Sequence, residues 1–336
     1  MSAEILAVLG GGSWGTALAK VVADQGVATR LWVRDRDKAA RIQETRQNEA
    51  YLPGFELPAS LVAMSDLERA IDGATVVLTV VPSHGMRIVM TDAKRFIGDD
   101  VPVVSASKGI ENDSLMTMSE LLEHVLPTPS LGRFAYLSGP SFAKDTAAGL
   151  PTAVTVACRD EAVGSRVQKL FATPRFRVYT TDDIVGVELG GALKNVVAIA
   201  AGIVDGMKLG HNARAALITR GLAEITRLAV KRGAHPQTLA GLAGMGDLVL
   251  TCTGDLSRNR KVGMELGQGR KLAEILAGMS MVAEGVRTTK SAYDLAQREG
   301  VVMPIVHEVY RVLYEDKSPA EAIVALMTRE LRAERD

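Results

Sequence analysis

The stretch LAVLGGGSWGTALAKVVADQG, residues 6–26, decides the fold class of this chain. It opens with a short apolar run, passes through a glycine-rich turn, and ends in apolar residues at helical spacing. The turn contains Gly10, Gly11, Gly12 and Gly15. Because glycine in a turn costs backbone entropy, this concentration indicates that Cβ atoms must be absent there. We therefore predict a strand, a tight turn and the start of a helix.

The spacing of Gly10, Gly12 and Gly15 matches the GxGxxG fingerprint of a dinucleotide-binding turn. In such a turn the glycines permit a tight bend and a close approach of the backbone to a pyrophosphate, and the helix N-terminus favours anionic phosphates. The alternative is a glycine-rich loop without a ligand. The predicted strand before the turn and the predicted helix after it favour the dinucleotide.

The end of the second predicted strand bears on which dinucleotide binds. The sequence there is LWVRDRD, residues 31–37, which places Arg34, Asp35 and Arg36 where NAD-specific sites carry an acidic residue. The planar guanidinium group of arginine suits a ribose 2′-phosphate, so we predict that NADPH is accepted and preferred. Asp35 would still permit NADH. The alternative is a solvated charge cluster without a ligand.

The composition is typical of a globular protein with about two domains. The chain has 336 residues, of which 47% are hydrophobic and 23% charged. Lys+Arg and Asp+Glu both number 39, and this zero net charge argues against a nucleic-acid partner. Cys158 and Cys252 cannot supply a disulfide framework, which favours a reducing cytoplasm.

Neither export nor membrane insertion is expected from the sequence. The start, MSAEILAVLGGG, lacks a basic region followed by a long apolar one, so no signal peptide is predicted. Residues 184–204 are apolar and long enough to span a membrane, but Glu188, Lys194 and Asn195 interrupt them. We predict a buried helix in a soluble protein. The histidines show no metal-ligand spacing, so no metal is expected.

Strand-like and helix-like segments alternate through the first half of the chain. The predicted strands are residues 5–9, 29–33, 76–80, 103–106, 134–137, 153–157 and 177–180, and the predicted helices include 16–24, 37–46 and 115–125. Residues 51–58, YLPGFELP, are predicted to form a loop. Alternation of this kind with nearly continuous apolar strands predicts the α/β class, with a doubly wound, Rossmann-like, mostly parallel sheet.

The second half shows only helical periodicity, as in NARAALITRGLAEITRLAVKRG, and we find no convincing strand after residue 181. The sequence therefore predicts a dinucleotide-binding domain over residues 1–183 and an all-helical substrate-binding domain over residues 184–336.

Two lysines are candidates for chemistry. Lys108 directly follows a predicted strand, and ligands of a doubly wound sheet bind beyond the carboxyl ends of its strands. Lys194 lies in an apolar helical segment, where burial lowers the pKa of an amine and fits it for proton exchange. We expect Gly190 and Gly191, one turn earlier, to let a ligand approach the backbone. The alternatives are an exposed loop lysine for Lys108 and, for Lys194, a structural lysine paired with Glu188 or a later carboxylate.

A further polar segment, GMGDLVLTCTGDLSRNRKVG, covers residues 244–263. It contains Asp247 and the run Ser257, Arg258 and Asn259, in which an arginine flanked by hydroxyl and amide groups suits an anion. The alternative is a helix that begins here with Ser257 as its N-cap.

Together these motifs resemble the soluble, bacterial-type NAD(P)-dependent glycerol-3-phosphate dehydrogenases over nearly the whole chain. The segments that carry the resemblance are GGGSWGTALA, VVPSH, SASKGIE, LSGPSFAKD, GLPTAV, GVELGGALKN, NARAALITRGLAE, GMGDLVLTCTGDLSRNR and VAEGVRT. Family members often carry tyrosine where Trp14 stands and threonine where Ser141 stands; neither departure changes the expected activity.

The resemblance implies specific roles. Lys194 matches the proton donor and acceptor. The implied substrate contacts are Lys108, Gly139, Ser141, Lys194, Asp247, Ser257, Arg258 and Asn259. The implied cofactor contacts are Gly10, Gly12, Ser13, Trp14, Gly15, Arg34, Lys108, Ala143, Arg258, Val282 and Glu284.

The reaction implied by the resemblance is the reversible reduction of dihydroxyacetone phosphate by NADPH or NADH, which gives sn-glycerol 3-phosphate for phospholipid synthesis. A cytoplasmic homodimer is also implied. Two alternatives remain. One is another 3-hydroxyacid or 6-phosphogluconate-type dehydrogenase, against which the SRN segment argues; the other is a non-catalytic dinucleotide sensor, which would not need a buried lysine beside a second anion site.

Overall fold

A computed structural model describes residues 4–126, 131–279, 283–331 and 333–334. Its strands are β1 (Ile5–Leu9), β2 (Ala28–Trp32), β3 (Gln47–Asn48), β4 (Leu52–Glu56), β5 (Leu61–Met64), β6 (Val76–Thr79), β7 (Val103–Ser105), β8 (Phe134–Ser138), β9 (Thr152–Cys158) and β10 (Phe176–Thr181).

The α-helices of the first half are α1 (Ser13–Ala23), α2 (Arg36–Thr45), α3 (Leu67–Ile71), α4 (Ser83–Ala93), α5 (Met118–Val125), α6 (Ala143–Ala147) and α7 (Glu161–Phe171). Those of the second half are α8 (Ile184–Gly206), α9 (Gly210–Lys231), α10 (Pro236–Ala240), α11 (Asp247–Thr253), α12 (Arg258–Gly267), α13 (Leu272–Ala277), α14 (Glu284–Glu299), α15 (Pro304–Tyr314) and α16 (Pro319–Met327). Two 3-10 turns, Lys94–Phe96 and Leu131–Arg133, and a π-helical turn, Leu242–Gly246, complete the set.

The main sheet has eight strands in the order β10-β9-β8-β7-β6-β1-β2-β5. All adjacent strands are parallel except β8 and β9, which pair antiparallel. The chain runs outward from β1 to β2 and β5, and then returns to place β6 on the other side of β1. This reversal creates a switch point between β1 and β6, where open α/β sheets bind ligands. The predicted fold class is confirmed.

Helices cover both faces of the sheet, as the near-continuous apolar strands predict. Along β1, Leu6 and Val8 belong to the core on one face, and Ala7 and Leu9 belong to the core on the other. All four side chains are fully buried. The alternation follows from the two-residue repeat of a strand.

The prediction of a loop over residues 51–58 is wrong in part, because β4 pairs antiparallel with β3 there. This two-stranded ribbon lies outside the main sheet, so its exposed Pro53 removes no hydrogen bond from a central ladder. Strand β5, at the sheet edge, was not predicted. Its four residues, LVAM, are all apolar, but so short a run does not distinguish a strand from a buried helical segment. In β5 the side chains of Leu61 and Ala63 are buried and Val62 is 40% exposed.

The other predicted strands lie within one residue of the observed ends. The predicted helix 115–125 begins three residues late, at Met118, because Thr117 and Glu120 form a capping box that sets the helix start. After Thr181, every described helix and turn continues the predicted all-helical pattern, and the described residues there contain no strand.

Helix α8 is the centre of the second half, with α9, α11, α12 and α14 packed around it. Its contact with α12 is backbone to backbone: a Cβ on Gly202 would lie 2.0 Å from the Arg260 carbonyl oxygen, and one on Gly263 would lie 1.9 Å from that of Ile199. Helix α8 is apolar and long enough to cross a membrane, but 89% of its most apolar window is buried within the protein. It is the core of the helical half.

Candidate active site

The glycine turn lies at the switch point between β1 and β6. Gly10 has φ 127°, and a Cβ there would lie 2.7 Å from the Val80 carbonyl oxygen at the end of β6. A Cβ on Gly15 would lie 2.0 Å from the Gly10 carbonyl oxygen. A Cβ on Gly12 would meet no atom within 4 Å, so the turn is open on that side. The glycines therefore permit the bend itself and leave free space over the start of α1.

The N-terminus of α1 fits an anionic ligand. Gly12 is its N-cap and provides no side-chain cap, and the first turn carries no acidic residue. The indole nitrogen of Trp14 is buried and has no hydrogen-bond partner among the described residues, while its ring packs against the cluster of Ala17, Leu52 and Ala147. Ser13 donates a 2.5 Å hydrogen bond to the Tyr51 carbonyl oxygen. Open space, uncapped amides and an unpaired donor together suit the pyrophosphate of a dinucleotide.

Positive charges lie beyond this turn. Burial, together with the charges of Arg287 and Arg34, lowers the pKa of His84 at the start of α4. Arg34 is exposed just after β2, whereas the Asp35 carboxylate caps α2 by accepting a 3.0 Å hydrogen bond from the Lys38 amide. The two arginines, Arg34 and Arg287, therefore suit a 2′-phosphate, while the lowered pKa favours the neutral form of His84 beside them. Asp35 already serves as a helix cap. Neither Arg287 nor His84 was predicted as a site residue.

Lys194 and Lys108 meet on one carboxylate, that of Asp247. The Lys194 ammonium group donates to one oxygen of Asp247, and the Lys108 ammonium group donates to the other at 2.6 Å. Lys194 also donates a 2.8 Å hydrogen bond to the Thr251 hydroxyl. Of the two partners weighed for Lys194, the later carboxylate is the correct one, because Glu188 accepts hydrogen bonds from Ser119 instead.

Burial and charge set the protonation of this cluster. Burial lowers the pKa of Lys194 to about 8; the attraction of Asp247 opposes this shift and the charge of Lys108 adds to it. Burial alone would raise the pKa of Asp247, but the two ammonium groups outweigh it and lower that pKa below its ordinary value. Asp247 therefore stays ionised while Lys194 can exchange a proton near neutral pH.

Glycines bring this cluster together, although not in the way the sequence suggested. A Cβ on Gly190 would lie 2.7 Å from the Ala243 carbonyl oxygen, in the π-helical turn just before Asp247. A Cβ on Gly191 would lie 2.6 Å from the Ser138 hydroxyl. The expectation that both glycines leave room for a ligand is therefore wrong. They let the turn before α11 and strand β8 pack directly against α8, which places Asp247 beside Lys194.

Gly139 and Ser141 lie at the carboxyl end of β8, beside Lys108. The Gly139 carbonyl oxygen accepts hydrogen bonds from the Lys108 ammonium group at 3.3 Å and from the Ser141 hydroxyl at 2.9 Å. Gly139 has φ 147°, and a Cβ there would lie 2.9 Å from the Val154 Cα atom. The turn therefore requires glycine, and its carbonyl oxygen orients Lys108.

In the run Ser257, Arg258 and Asn259, the arginine is exposed, and the serine and asparagine are buried and form hydrogen bonds within the protein. Ser257 caps α12 by accepting a 3.2 Å hydrogen bond from the Arg260 amide, which is the alternative the sequence left open. Asn259 joins three helices: it donates to the Asn195 side chain and accepts from the Gly285 amide, each at 2.9 Å. The Arg258 guanidinium is exposed, and none of the described residues forms a hydrogen bond or ion pair with it.

Glu284 begins α14 and faces the same cations. Burial raises the pKa of its carboxyl group above the ordinary value. The charges that oppose this shift belong to Arg258, Lys108 and Lys194. Glu284 therefore lies within electrostatic range of the lysine cluster and of the exposed arginine. Val282, predicted as a neighbouring cofactor contact, lies outside the described residues.

Two residues that organise the lysine cluster, Thr251 and Asn195, were not predicted as site residues. Thr251 lies one helical turn after Asp247 on α11, so the four-residue spacing could have identified it. Asn195, next to Lys194, holds Asn259 in place, but an amide inside an apolar helix gives no sign of its partner.

Two family models match the chain. One, described as the N-terminus of NAD-dependent glycerol-3-phosphate dehydrogenase, matches residues 5–164, and one described as the C-terminus matches residues 183–324. A glycerol-3-phosphate dehydrogenase (NAD(P)+) of Geobacter sp. (strain M21) is 56% identical over 332 residues, which cover 99% of each chain. Its counterpart from Syntrophotalea carbinolica is 55% identical over 331 residues, or 98% of this chain and 99% of that one.

A solved structure agrees with these matches. The crystal structure of glycerol-3-phosphate dehydrogenase from Coxiella burnetii has a TM-score of 0.93 and 42% identity, covering 97% of this chain and 99% of the other. The resemblance inferred from the sequence motifs is thereby confirmed. The chain belongs to the family of NAD-dependent glycerol-3-phosphate dehydrogenases.

Proposed function

We propose that this protein catalyses the reversible reduction of dihydroxyacetone phosphate to sn-glycerol 3-phosphate with NADPH or NADH. The observation that carries the proposal is the meeting of Lys194 and Lys108 on Asp247, beyond the carboxyl ends of the strands whose glycine turn fits a dinucleotide. The names of the relatives agree with it. The product would supply phospholipid synthesis.

Reduction of a ketone requires a hydride at carbon and a proton at oxygen. A bound NAD(P)H supplies the hydride. Lys194 donates the proton to the developing alkoxide, because burial has lowered its pKa into the range where it gives up a proton readily. Lys108 adds positive charge beside the same oxygen. Asp247 holds both ammonium groups in position and remains ionised. In the oxidation direction Lys194 accepts the proton.

The substrate phosphate is held at the start of α12. Arg258 offers an exposed guanidinium group, and the N-terminus of α12 adds the positive end of the helix dipole. Ser257 and Asn259 fix the geometry through the cap and the three-helix contact described above, and Asn259 retains one amide hydrogen for the ligand. Ser141 and Gly139 line the substrate site beside Lys108. Binding at the phosphate orients the carbonyl group toward Lys194.

The cofactor lies along the glycine turn, where Gly10 and Gly15 permit the bend, Gly12 leaves open space for the ligand and Trp14 contacts it. Ser13, Lys108, Ala143, Arg258, Val282 and Glu284 are further proposed contacts. The cationic cluster around Arg34 favours a 2′-phosphate, so we propose a preference for NADPH over NADH.

The wider assignments from the sequence are also proposals. We place the division between the cofactor-binding and substrate-binding domains at residues 183 and 184, between the last strand and α8. A homodimer rests on the family resemblance. A cytoplasmic location rests on two cysteines that are both free and buried. The zero net charge supports a small-molecule substrate over a nucleic acid.

The decisive test is a spectrophotometric assay of NADPH oxidation by the purified protein. With dihydroxyacetone phosphate we expect rapid oxidation and formation of sn-glycerol 3-phosphate, and with unphosphorylated dihydroxyacetone a much lower kcat/KM. 3-Hydroxy acids and 6-phosphogluconate with NADP+ serve as competing substrates. Turnover of either competitor, with none of dihydroxyacetone phosphate, would replace this function with that of another dehydrogenase. Binding of NADPH without any turnover would identify a sensor.

A further inference from the structure

A small enclosed cavity lies behind the lysine cluster, between the sheet and α8. It is lined by the carboxyl ends of β7 and β8, by Lys108, and by Glu188 and Gly191 of α8. The space open to the centre of a water-sized sphere is about 10 Å³. On that measure, a cavity of about 10–15 Å³ holds one water molecule if two to four polar groups face it.

Polar groups do face this cavity. The hydroxyl groups of Ser105, Tyr136 and Ser138 all line it, all are buried, and none has a hydrogen-bond partner among the described residues. A buried hydroxyl without a hydrogen-bond partner is destabilising, so a bound water that pairs with it is favoured. Gly191 packs directly against Ser138 at the edge of this space, since a Cβ there would lie 2.6 Å from the Ser138 hydroxyl. Three unpaired hydroxyls around a space of this size form a built site for one water.

Glu188 forms the far wall of the cavity. Its carboxyl group accepts hydrogen bonds from the backbone amide of Ser119, at 2.8 Å, and from the Ser119 hydroxyl. Burial raises its pKa to about 7, so it exchanges protons in the neutral range although it is enclosed. The charged and titratable groups that face it are Tyr136 on β8, Lys108 after β7, and Glu120 on α5, which is itself paired with Arg232.

We propose that this cavity binds one internal water molecule, held by Ser105, Tyr136 and Ser138, which connects the Glu188 carboxyl group to the Lys108 amine. Through this connection Glu188 is a proton store for the lysine pair. The inference rests on the proposed function, because a proton store has a use only if Lys194 gives up a proton in turnover. Glu188 touches no reacting atom and is a positioning and proton-exchange residue.

The proton balance follows from the contacts. When Lys194 protonates the alkoxide, its neutral amine recovers a proton from Lys108 through Asp247, which contacts both, carries the proton only in transit and ends the transfer as a carboxylate. Lys108 recovers its proton from the protonated carboxyl group of Glu188 through the water and the neighbouring hydroxyls. Glu188 is left as a carboxylate and is reprotonated from solvent after product release. One proton is consumed per ketone reduced, and no other reactant is required.

The first test does not depend on activity. In the free protein, infrared difference spectra recorded across a pH titration should show a protonated carboxyl band of Glu188 that disappears near pH 7, in addition to the band of Glu224. The band should be absent in Glu188→Gln and present in the double variant Tyr136→Phe/Ser138→Ala. A high-resolution crystal structure should show one water within hydrogen-bond distance of the three hydroxyls, and should lack it in the double variant. Absence of the band or of the water from the wild-type protein overturns the proposal.

The second test uses the pH dependence of kcat for ketone reduction. The wild-type profile should fall in two steps as pH rises, near 7 for Glu188 and near 8 for Lys194. Both Glu188→Gln and Tyr136→Phe/Ser138→Ala should lose the lower step, and kcat should fall about tenfold, less than expected from losing a direct proton donor. If Glu188 affected kcat without the water, the step near pH 7 would remain in Tyr136→Phe/Ser138→Ala. That result also overturns the proposal.

Glu224 provides the matched control. It is another buried glutamate whose pKa burial raises to about 7, but it accepts hydrogen bonds from the amides of Ile305 and Val306 at the start of α15, away from the lysines. Glu224→Gln should lose its own infrared band and keep the lower step of the kcat profile; loss of that step would overturn the proposal. If the wild-type protein does not reduce dihydroxyacetone phosphate, the proposed function fails, while the spectra and the crystal structure still test the water site.

Discussion

The ammonium group of Lys194 lies against the carboxylate of Asp247 inside the protein, where the two side chains are 8% and 1% exposed. A buried ion pair is costly unless further contacts satisfy both partners. Here Lys108 occupies the second oxygen of the carboxylate, so Asp247 keeps its charge when Lys194 is neutral. The arrangement therefore supports an amine that changes protonation during a reaction.

Thr251→Val should shift the step near pH 8 in the pH profile of kcat for ketone reduction, which is the step assigned to Lys194. Protonated Lys194 donates to the Thr251 hydroxyl at 2.8 Å, and an acceptor of that kind stabilises the charged form. Its loss should lower the pKa of Lys194 below about 8, so that kcat for reduction falls at a lower pH than in the wild type. Oxidation, which needs the neutral amine, should then begin to rise at a lower pH.

Thr253→Val is the matched control, because Thr253 lies on the same helix and its hydroxyl donates only to the Val249 carbonyl oxygen. Its pH profile should match that of the wild type. An unchanged profile in Thr251→Val would contradict the assignment of this step to Lys194.

Arg258→Ala should remove most of the preference for dihydroxyacetone phosphate over unphosphorylated dihydroxyacetone. Loss of a charge-assisted contact to the phosphate should weaken transition-state binding by about 1.5–3 kcal/mol. The comparison is the ratio of kcat/KM for the two substrates. Arg260→Ala is the control, because the Arg260 guanidinium pairs with Asp205 at 2.8 Å and is not available to a ligand. If Arg258→Ala keeps the full preference, the phosphate binds elsewhere.

Arg34→Ala should raise the KM for NADPH much more than the KM for NADH. Only NADPH loses a charged contact, because the 2′-phosphate is absent from NADH. Steady-state kinetics with both cofactors measure the difference. Arg41→Ala serves as control, since Arg41 lies further along α2 and pairs with Glu49 at 2.7 Å. Equal changes for both cofactors would remove Arg34 from the 2′-phosphate site.

Gly263→Ala should destabilise the helical half. The added Cβ would lie 1.9 Å from the Ile199 carbonyl oxygen, so α8 and α12 must move apart. Overpacking of this kind costs about 1–3 kcal/mol in the free energy of unfolding, which chemical denaturation measures. Gly85→Ala, in α4, is the control, and it should raise the free energy of unfolding. Its Cβ meets no atom within 4 Å, and alanine is the better helix former. Equal stability of Gly263→Ala and the wild type would contradict the close helix contact.

Much of the fold could be predicted because its signals are local. The turn at Gly10 lies between a continuous apolar strand and an amphipathic helix, and both were visible in 21 consecutive residues, 6–26. The ribbon of β3 and β4 was missed because Pro53 and Gly54 are typical of loops, and its partner strand β3 is only two residues long. Strand β5 was missed because its apolar run, LVAM, is only four residues long and fits a helical segment equally well.

The candidate site was predictable in its residue types but not in its pairings. Lys194 was conspicuous as a charge in an apolar helix, yet its partner lies 53 residues away on α11. Gly190 and Gly191 suggested a ligand, and only the packed structure shows that backbone and side-chain atoms of the protein fill the space. Asp35 also has a role that sequence position alone does not reveal, since its carboxylate caps α2.

The central claim is that Lys194 donates the proton in the reduction of dihydroxyacetone phosphate. The most direct measurement is kcat for NADPH oxidation by Lys194→Ala, with Lys290→Ala as a control, because Lys290 is an exposed lysine on α14 paired with Asp294. We expect Lys194→Ala to lose two to four powers of ten in kcat, about the range for a general acid, with NADPH affinity nearly unchanged by fluorescence titration. Near-normal turnover by Lys194→Ala would contradict the account.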